Sequence, residues 1–204
     1  MFKNNGYAPP LLALRHPRSA AAEAYRVLRT NLGFAALDAP CRSILITSPG
    51  PEDGKTTTAA NLAVVLAQAG NRVALVDCDL RKPSLHRLFD LENQRGLTNC
   101  LLQDLSPAEV AHSPAENLFV ITSGPLPPNP AELIGSVKMR SFWGALSKEY
   151  DYLIVDAPPV LAVTDAVLLA AQLDGVLLVV RAHTRVEVAR DAKEQLGKAS
   201  ARLL

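Results

Sequence analysis

Residues 48–57 constrain the fold more than any other segment, because this loop follows an apolar run and precedes a helix-like stretch. The run at 44–46 is typical of a buried strand, and apolar residues between 59 and 66 have helical spacing. Backbone N–H groups of such a loop can surround phosphate oxygens. Within it, Lys55 can reach the β- and γ-phosphates, and Thr56 can offer its hydroxyl to magnesium. The sequence therefore predicts that the chain binds a nucleoside triphosphate.

The loop departs from the strict phosphate-loop pattern at one position. That pattern places glycine at position 49, where this chain has Pro49 followed by Gly50. A glycine- and proline-rich turn with an accidental lysine is the alternative interpretation, and the flanking strand and helix disfavour it. The predicted nucleotide contacts are Gly50, Pro51, Glu52, Asp53, Gly54, Lys55, Thr56 and Thr57.

Three aspartates follow two further apolar runs. Asp77 and Asp79 end one run, and alternation along an extended chain points both side chains the same way. Asp156 ends another run. Aspartate often begins a turn after a strand, but three of them in the sheet that carries the loop favour phosphoryl transfer or nucleotide hydrolysis. We expect Thr56, Asp79 and Asp156 to hold Mg²⁺. Asp77 is then the predicted base, and Lys55 the group that neutralises charge on the transferring phosphoryl group.

The apolar runs also predict the fold class. They lie at 44–46, 73–76, 118–121, 153–155 and 176–180, with helix-like segments between them. Runs without polar alternation indicate strands covered on both faces, and alternation with helices indicates a parallel sheet. The predicted fold is an α/β P-loop NTPase three-layer sandwich, with a mostly parallel central sheet flanked by helices. The carboxyl ends of its strands would meet at one site.

Length and composition fit a single domain. The chain has 204 residues, 49% of them hydrophobic, and a net charge of +1. We expect an extended, proline-rich arm over residues 1–17 and a nucleotide-binding core over 18–204. The charge gives no support for nucleic-acid binding, and no apolar run approaches the ~20 residues of a membrane span. With no signal-peptide core at its N-terminus, the chain is predicted to be cytosolic.

Five segments together resemble the bacterial tyrosine kinases of capsular and exopolysaccharide synthesis. They are residues 23–32, the phosphate loop, 76–83, 124–133 and 151–159, and they occur in the family's order. The resemblance implies an ATP- and Mg²⁺-dependent protein tyrosine autokinase that helps to control polysaccharide chain length and export. It also implies that the loop is a Walker A motif, that Asp77 and Asp79 belong to a Walker A′ motif, and that Asp156 belongs to a Walker B motif.

The same resemblance implies partners. The pattern E-x-x-R-x-x-R, here Glu23, Arg26 and Arg29, belongs to a helix through which family members assemble into rings. From the residues alone, a solvated helix face with a local Glu23–Arg26 pair is the simpler interpretation. Family members are activated by a cytoplasmic segment of a membrane protein, and this chain resembles the type in which that activator is separate. The implied substrates are tyrosine-bearing proteins, and the implied location is the inner face of the membrane, reached through the activator.

Two departures from the family pattern leave other functions open. The tyrosines lie at positions 7, 25, 150 and 152, whereas the family usually has a tyrosine cluster near its C-terminus. A predicted helix over about 186–203 also leads to no further strand, so the chain could be a fragment. A non-catalytic nucleotide-binding scaffold is one alternative. A partition or division-site ATPase is another, although such proteins carry a signature lysine where this chain has Gly50.

Three further residues near these motifs have two interpretations each. Asp165 is expected to cap a helix rather than to act as a switch that responds to the γ-phosphate. Arg81 and Lys82 could contact phosphate or an acidic substrate segment, or be solvated turn residues.

Overall fold

The computed structural model describes residues 11–35 and 40–204. Its strands are β1 (Ser43–Thr47), β2 (Val73–Asp77), β3 (Ala111–Ala115), β4 (Leu118–Ile121), β5 (Tyr152–Asp156) and β6 (Gly175–Leu178). They form one six-stranded sheet in the order β3-β4-β2-β5-β1-β6. Every neighbouring pair is parallel except β3 and β4. The predicted mostly parallel sheet is confirmed.

Helices cover both faces of this sheet. They are α1 (Leu12–Arg15), α2 (Ala20–Ala35), α3 (Lys55–Ala67), α4 (Leu85–Phe89), α5 (Leu97–Gln103), α6 (Pro107–Val110), α7 (Pro130–Ile134), α8 (Val137–Glu149), α9 (Asp165–Ala170) and α10 (Val186–Gly197). Within the described ranges, none is both long and apolar enough to cross a bilayer.

The core consists of two apolar clusters, one on each face of the sheet. Ile44 and Ile46 belong to the cluster that contains α3, whereas Leu45 between them belongs to the other. Because both faces of β1 are covered, its sequence shows no polar alternation. Phe142 and Trp143 of α8 are buried in the second cluster. This three-layer arrangement confirms the fold class.

The edge strand β3 is absent from the sequence prediction. Its sequence contains no apolar run, and it pairs antiparallel with β4, with an irregular register between His112 and Ala115. Proline is tolerated on edge strands because the missing N–H need not pair, and Pro114 lies here.

The segment before α2 is not the extended arm that was predicted. Residues 1–10 lie outside the described residues, but Leu12–Arg15 form a short helix with Leu11 and Ala13 buried. The Ala13 N–H donates to Oδ1 of Asn61 at 2.8 Å, and Gln68 donates to the Ala13 carbonyl at 3.0 Å. The extended prediction is wrong for this turn because apolar burial against α3 and two side-chain hydrogen bonds hold it.

The last helix is shorter than predicted and leads back to the sheet. α10 ends at Gly197, and Leu203 forms a parallel bridge with Val176 of β6. The Val176 N–H donates to the Arg202 carbonyl at 2.8 Å, and the Leu204 N–H donates to the Val176 carbonyl at 3.0 Å. The expectation of a helix over 186–203 without a further strand-like segment is therefore wrong.

Candidate active site

The phosphate loop connects β1 to α3 and is braced by its own side chains. Oδ2 of Asp53 accepts the Gly50 N–H at 2.9 Å, and the Ser48 hydroxyl donates to the Gly50 carbonyl at 2.7 Å. Gly54, immediately before α3, has φ of +93°, a conformation that side-chain-bearing residues rarely adopt. Two predicted contact residues, Gly50 and Asp53, thus shape the loop.

Lys55 begins α3 and lies between two of the predicted carboxylates. Its Nζ is 3.0 Å from Oδ2 of Asp79 and 3.6 Å from Oδ1 of Asp156. Burial lowers the pKa of Lys55, but Asp156 and Asp79 outweigh it and raise that pKa above its usual value. The ammonium group therefore keeps its charge inside the protein, where it can act on an anion.

Asp156 ends β5 and is fully buried. Among the described residues, neither of its carboxylate oxygens accepts a hydrogen bond. Burial raises the pKa of Asp156 to about 6, although Lys55 opposes this shift. A buried carboxylate is costly unless a cation or hydrogen-bond donors satisfy it, so Asp156 is suited to hold a cation or a cation-bound water.

Asp77 has a different environment from Asp79. Its Oδ2 accepts the N–H groups of Ser84 and Leu85, each at 3.0 Å, and its Oδ1 accepts the Asp79 N–H at 3.2 Å. Burial and, next, the charge of Asp156 raise the pKa of Asp77 to about 7. Its carboxylate holds the chain entering α4 and is fully buried, which does not favour the base role predicted for it.

Asp79 reaches the cavity beside the loop. One oxygen contacts Lys55, and the other accepts the Lys82 N–H at 2.9 Å and, weakly, the Arg81 N–H at 3.4 Å. The cavity has a volume of about 370 Å³. Its lining is Pro51, Glu52, Gly54, Lys55, Thr56, Thr57, Asp79, Lys82, Ser84 and Pro159.

The sequence prediction missed Ser84. Its hydroxyl donates to Oγ1 of Thr56 at 3.1 Å, which orients the residue predicted to bind magnesium. A serine before an apolar helix start is a helix-capping signal, and this one follows Asp79 closely in the chain. That signal would have placed Ser84 at the start of α4, beside the loop.

Asp165 and Arg81 pair with each other. Nε of Arg81 lies 2.8 Å from Oδ2 of Asp165, and Nη2 lies 3.1 Å from Oδ1. Asp165 is the first residue of α9 and is fully buried, and Thr164 occupies the capping position expected for it. The predicted cap is therefore wrong in detail, because the carboxylate binds a guanidinium instead of helix N–H groups.

The donor set fits magnesium only together with a phosphate group. Across residues 11–35 and 40–204, no three His, Cys, Asp or Glu side chains are arranged to hold a metal ion. The Thr56 hydroxyl and the oxygens of Asp156, which lie no closer than 3.6 Å to Lys55 Nζ, supply hard oxygen ligands, as Mg²⁺ prefers. Mg²⁺ usually binds one or two carboxylates and takes further ligands from substrate phosphates and water, which suits this set.

The predicted interface residues lie on α2 and have partners within the chain. Arg26 pairs with Glu23 and also donates to the Pro17 carbonyl. Nη1 of Arg29 donates to the Val65 carbonyl in the last turn of α3 at 2.8 Å. The local Glu23–Arg26 pair is confirmed, and Arg29 attaches α2 to α3.

Comparison with known proteins places this geometry in a family. Residues 52–188 match a protein-family model described as an AAA domain, consistent with nucleotide binding. The chain is 46% identical to the tyrosine-protein kinase YwqD of Bacillus subtilis over 95% of its own length and 83% of that protein. The crystal structure of the chimerical protein CapA2B2 superposes with a TM-score of 0.92 at 39% identity, over 97% of this chain and 88% of that one. The kinase domain of the Escherichia coli tyrosine kinase ETK gives 0.90 at 33% identity, over 100% and 80% of the two chains. The chain therefore belongs to the bacterial tyrosine-protein kinase family.

Proposed function

We propose that this chain transfers the γ-phosphoryl group of Mg²⁺-bound ATP to tyrosine hydroxyls, its own or those of other proteins. The observation that carries the proposal is the position of Lys55, 3.0 Å from Asp79 and 3.6 Å from Asp156 beside the phosphate-loop cavity. A cation, a hydroxyl and carboxylates around one cavity are the groups that phosphoryl transfer uses. Family membership does not favour the scaffold and the partition-type ATPase.

Each side chain has a role in this proposal. The loop N–H groups and the start of α3 bind the phosphates, and Lys55 stabilises the negative charge on the transferring group. Thr56 and Asp156 would hold Mg²⁺, and this ion neutralises phosphate charge when it is bound. Ser84 orients the Thr56 hydroxyl from the other side of the cavity.

We assign the proton-accepting role to Asp79 rather than Asp77. Asp79 lines the cavity, whereas Asp77 does not. The oxygens of Asp77 accept the backbone N–H groups of residues 79, 84 and 85, so this carboxylate holds the start of α4. A general base must come within hydrogen-bond reach of the proton that it removes, and the position of Asp79 in the cavity lining supports this assignment.

The cellular role follows the family resemblance. We propose that the chain controls capsular or exopolysaccharide synthesis and export, and that a separate transmembrane activator recruits it to the membrane. We also propose that α2 contacts a second copy in a ring. The exposed apolar side chains of Val27 (52%) and Phe34 (66%) on that helix support this interface.

The test incubates the full chain with labelled ATP, Mg²⁺ and a tyrosine-rich peptide, with and without the activator's cytoplasmic segment. We expect label on tyrosine that is lost in Lys55→Met. Lys138→Gln is the matched control, because it removes a lysine from an exposed ion pair with Asp104 away from the cavity. Tight ATP binding without any label would support the scaffold, and release of free phosphate alone would support an ATPase.

A further inference from the structure

Two loops contribute residues to the lining of the nucleotide cavity, and an ion pair joins these loops. The loop after β2 contributes Asp79, Lys82 and Ser84, and the loop after β5 contributes Pro159. Arg81 lies in the first loop, and its guanidinium binds Asp165, the residue at which the second loop enters α9. The pair therefore connects the loop that carries Asp79 to the loop that follows Asp156.

The Arg81–Asp165 pair is bidentate, so it holds the two loops at a defined distance and orientation. Two guanidinium nitrogens of Arg81 contact the two carboxylate oxygens of Asp165, at 2.8 and 3.1 Å. Bidentate pairs of this kind restrict orientation as well as distance. The Asp165 side chain is fully buried and that of Arg81 is 42% exposed, so solvent reaches this pair from the arginine side only and screens it less than a fully exposed pair. Removing Arg81 would leave a buried carboxylate without its counter-ion.

The same arginine belongs to the turn that aims Asp79. The backbone N–H groups of Arg81 and Lys82 both donate to Oδ1 of Asp79, at 3.4 and 2.9 Å. The other oxygen of Asp79 is thereby directed to Lys55, at 3.0 Å. Because Asp165 holds the Arg81 side chain, it also restrains the backbone N–H groups of residues 81 and 82, which orient the Asp79 carboxylate.

We propose that Arg81 is a positioning residue for phosphoryl transfer, which acts through Asp165 to hold Asp79 in place. Neither Arg81 nor Asp165 lines the nucleotide cavity. Loss of the pair therefore lowers the rate of transfer and leaves ATP binding by the phosphate loop largely intact. This proposal rests on the proposed function, because it places Asp79, beside Lys55, among the groups that carry out phosphoryl transfer.

The kinetic test compares Arg81→Gln, Arg81→Lys and Asp165→Asn in the full chain. Displacing a reacting group by about 1 Å can cost about a hundredfold in rate, so we expect kcat to fall by about 10- to 100-fold in Arg81→Gln and Asp165→Asn. The KM for ATP should stay within about twofold.

Arg81→Lys keeps the charge but not the bidentate contact, so its kcat should be intermediate. Combining Arg81→Gln with Asp165→Asn should cost no more than either change alone. Lys138→Gln, in the exposed pair with Asp104, is the control and should leave kcat unchanged.

Amide hydrogen exchange in the nucleotide-free chain tests the same link without any activity. Backbone N–H groups between 79 and 85 donate to Asp77 and Asp79. We expect exchange in this segment to accelerate at least about tenfold in Arg81→Gln and in Asp165→Asn, with no change in β1 or α8. Acceleration throughout the chain would indicate general destabilisation and would overturn the proposal.

Other outcomes would distinguish the Arg81–Asp165 link from direct binding of phosphate by Arg81, and from a failure of the proposed function. A rise in the KM for ATP at constant kcat would show that Arg81 binds phosphate, as would a loss of activity in Arg81→Gln that Asp165→Asn does not share. If Asp165→Asn does not fold, equal kcat values for Arg81→Lys and Arg81→Gln would refute the link. If the unaltered chain phosphorylates nothing, the proposed function fails, and the exchange experiment still decides whether Arg81 orders the Asp79 turn.

Discussion

Asp77 and Asp79 show how two equivalent-looking residues acquire different roles. Alternation along β2 predicts that both point the same way, and both are buried. The turn after β2 then separates them, because Asp77 accepts N–H groups at the start of α4 while Asp79 faces Lys55. The alternation was a sound guide to direction, but the contacts of each carboxylate depend on how the following turn folds back.

We predict that Asp79→Asn mainly lowers the rate of phosphoryl transfer, whereas Asp77→Asn mainly lowers the stability of the chain. Asp79→Asn removes the proposed base, so its transfer rate per folded molecule should fall by about 10²- to 10⁴-fold, in addition to the stability that is lost with the charge pair to Lys55. Asp77→Asn weakens buried acceptors of three N–H groups, so it should cost about 1–3 kcal/mol of stability. Its transfer rate per folded molecule should fall much less than that of Asp79→Asn. Steady-state kinetics at saturating ATP and thermal unfolding measure both quantities. If Asp77→Asn folds fully but transfers no phosphoryl group, and Asp79→Asn stays active, Asp77 rather than Asp79 would be the base.

A second prediction concerns Gly96, at the start of α5. A Cβ at this position would lie 2.2 Å from the Thr122 carbonyl oxygen and 2.4 Å from the Gly124 nitrogen. Both contacts are with backbone, so Gly96→Ala should destabilise the chain by about 1–3 kcal/mol or more. Gly144, inside α8, has no atom within 4 Å of such a Cβ, and Gly144→Ala should stabilise by about 0.5–1 kcal/mol. Denaturant unfolding measures both changes. Equal stability of the two variants would contradict this steric argument.

At the scale of elements, the sequence predicts what apolar periodicity encodes. The strands β1, β2, β4, β5 and β6 all contain apolar runs, because helices cover both of their faces. β3 contains no such run, since it forms the edge of the sheet and is held by backbone pairing to β4. The short helix α1 was missed for a related reason. Its stability comes from contacts with distant residues of α3, which no local pattern records.

The helix α2 has an observed contact with α3 and a proposed contact with a second copy, and substitution can separate the two. Arg29 attaches it to α3 through the Val65 carbonyl, whereas Val27 and Phe34 are exposed apolar residues. We predict that Arg29→Gln lowers stability by about 1 kcal/mol, because that hydrogen bond is lost. A Val27→Ser/Phe34→Ser double variant should keep its melting temperature and fail to form the proposed ring. Light scattering after size-exclusion chromatography and thermal unfolding give the two readouts. An unchanged assembly in the double variant would argue against the proposed interface.

At the scale of the molecule, sheet order determines which motifs meet. β2, β5 and β1 are neighbours in the sheet, so their carboxyl ends bring the two acidic motifs beside the phosphate loop. This convergence could be predicted from three motifs that each follow an apolar run. The cross-connections could not, because the Arg81–Asp165 pair joins residues 84 positions apart in the chain. Such a pair depends on the paths of two irregular loops.

Residues 202–204 pair with β6, the outer strand on the side of the sheet away from β3. Arg202 and Leu204 form backbone hydrogen bonds with Val176 of β6 at 2.8 and 3.0 Å, and Leu204 packs against the apolar cluster on the α3 face. A Cβ on Gly175 would lie 2.7 Å from the Leu204 side chain, so this contact is close. Deleting residues 202–204 exposes an unpaired strand edge and this apolar surface.

We therefore expect the deletion to destabilise the chain by about 1–3 kcal/mol, which corresponds to about 2–4 °C in melting temperature per kcal/mol. Leu203→Ser is the matched control, since its side chain is 41% exposed and the substitution keeps the backbone pairing with Val176. Differential scanning calorimetry compares the two variants with the unaltered chain. A melting temperature for the deletion equal to that of Leu203→Ser would mean that this pairing contributes nothing to stability. A lower value would show that the pairing of residues 202–204 with β6 contributes to the stability of the chain.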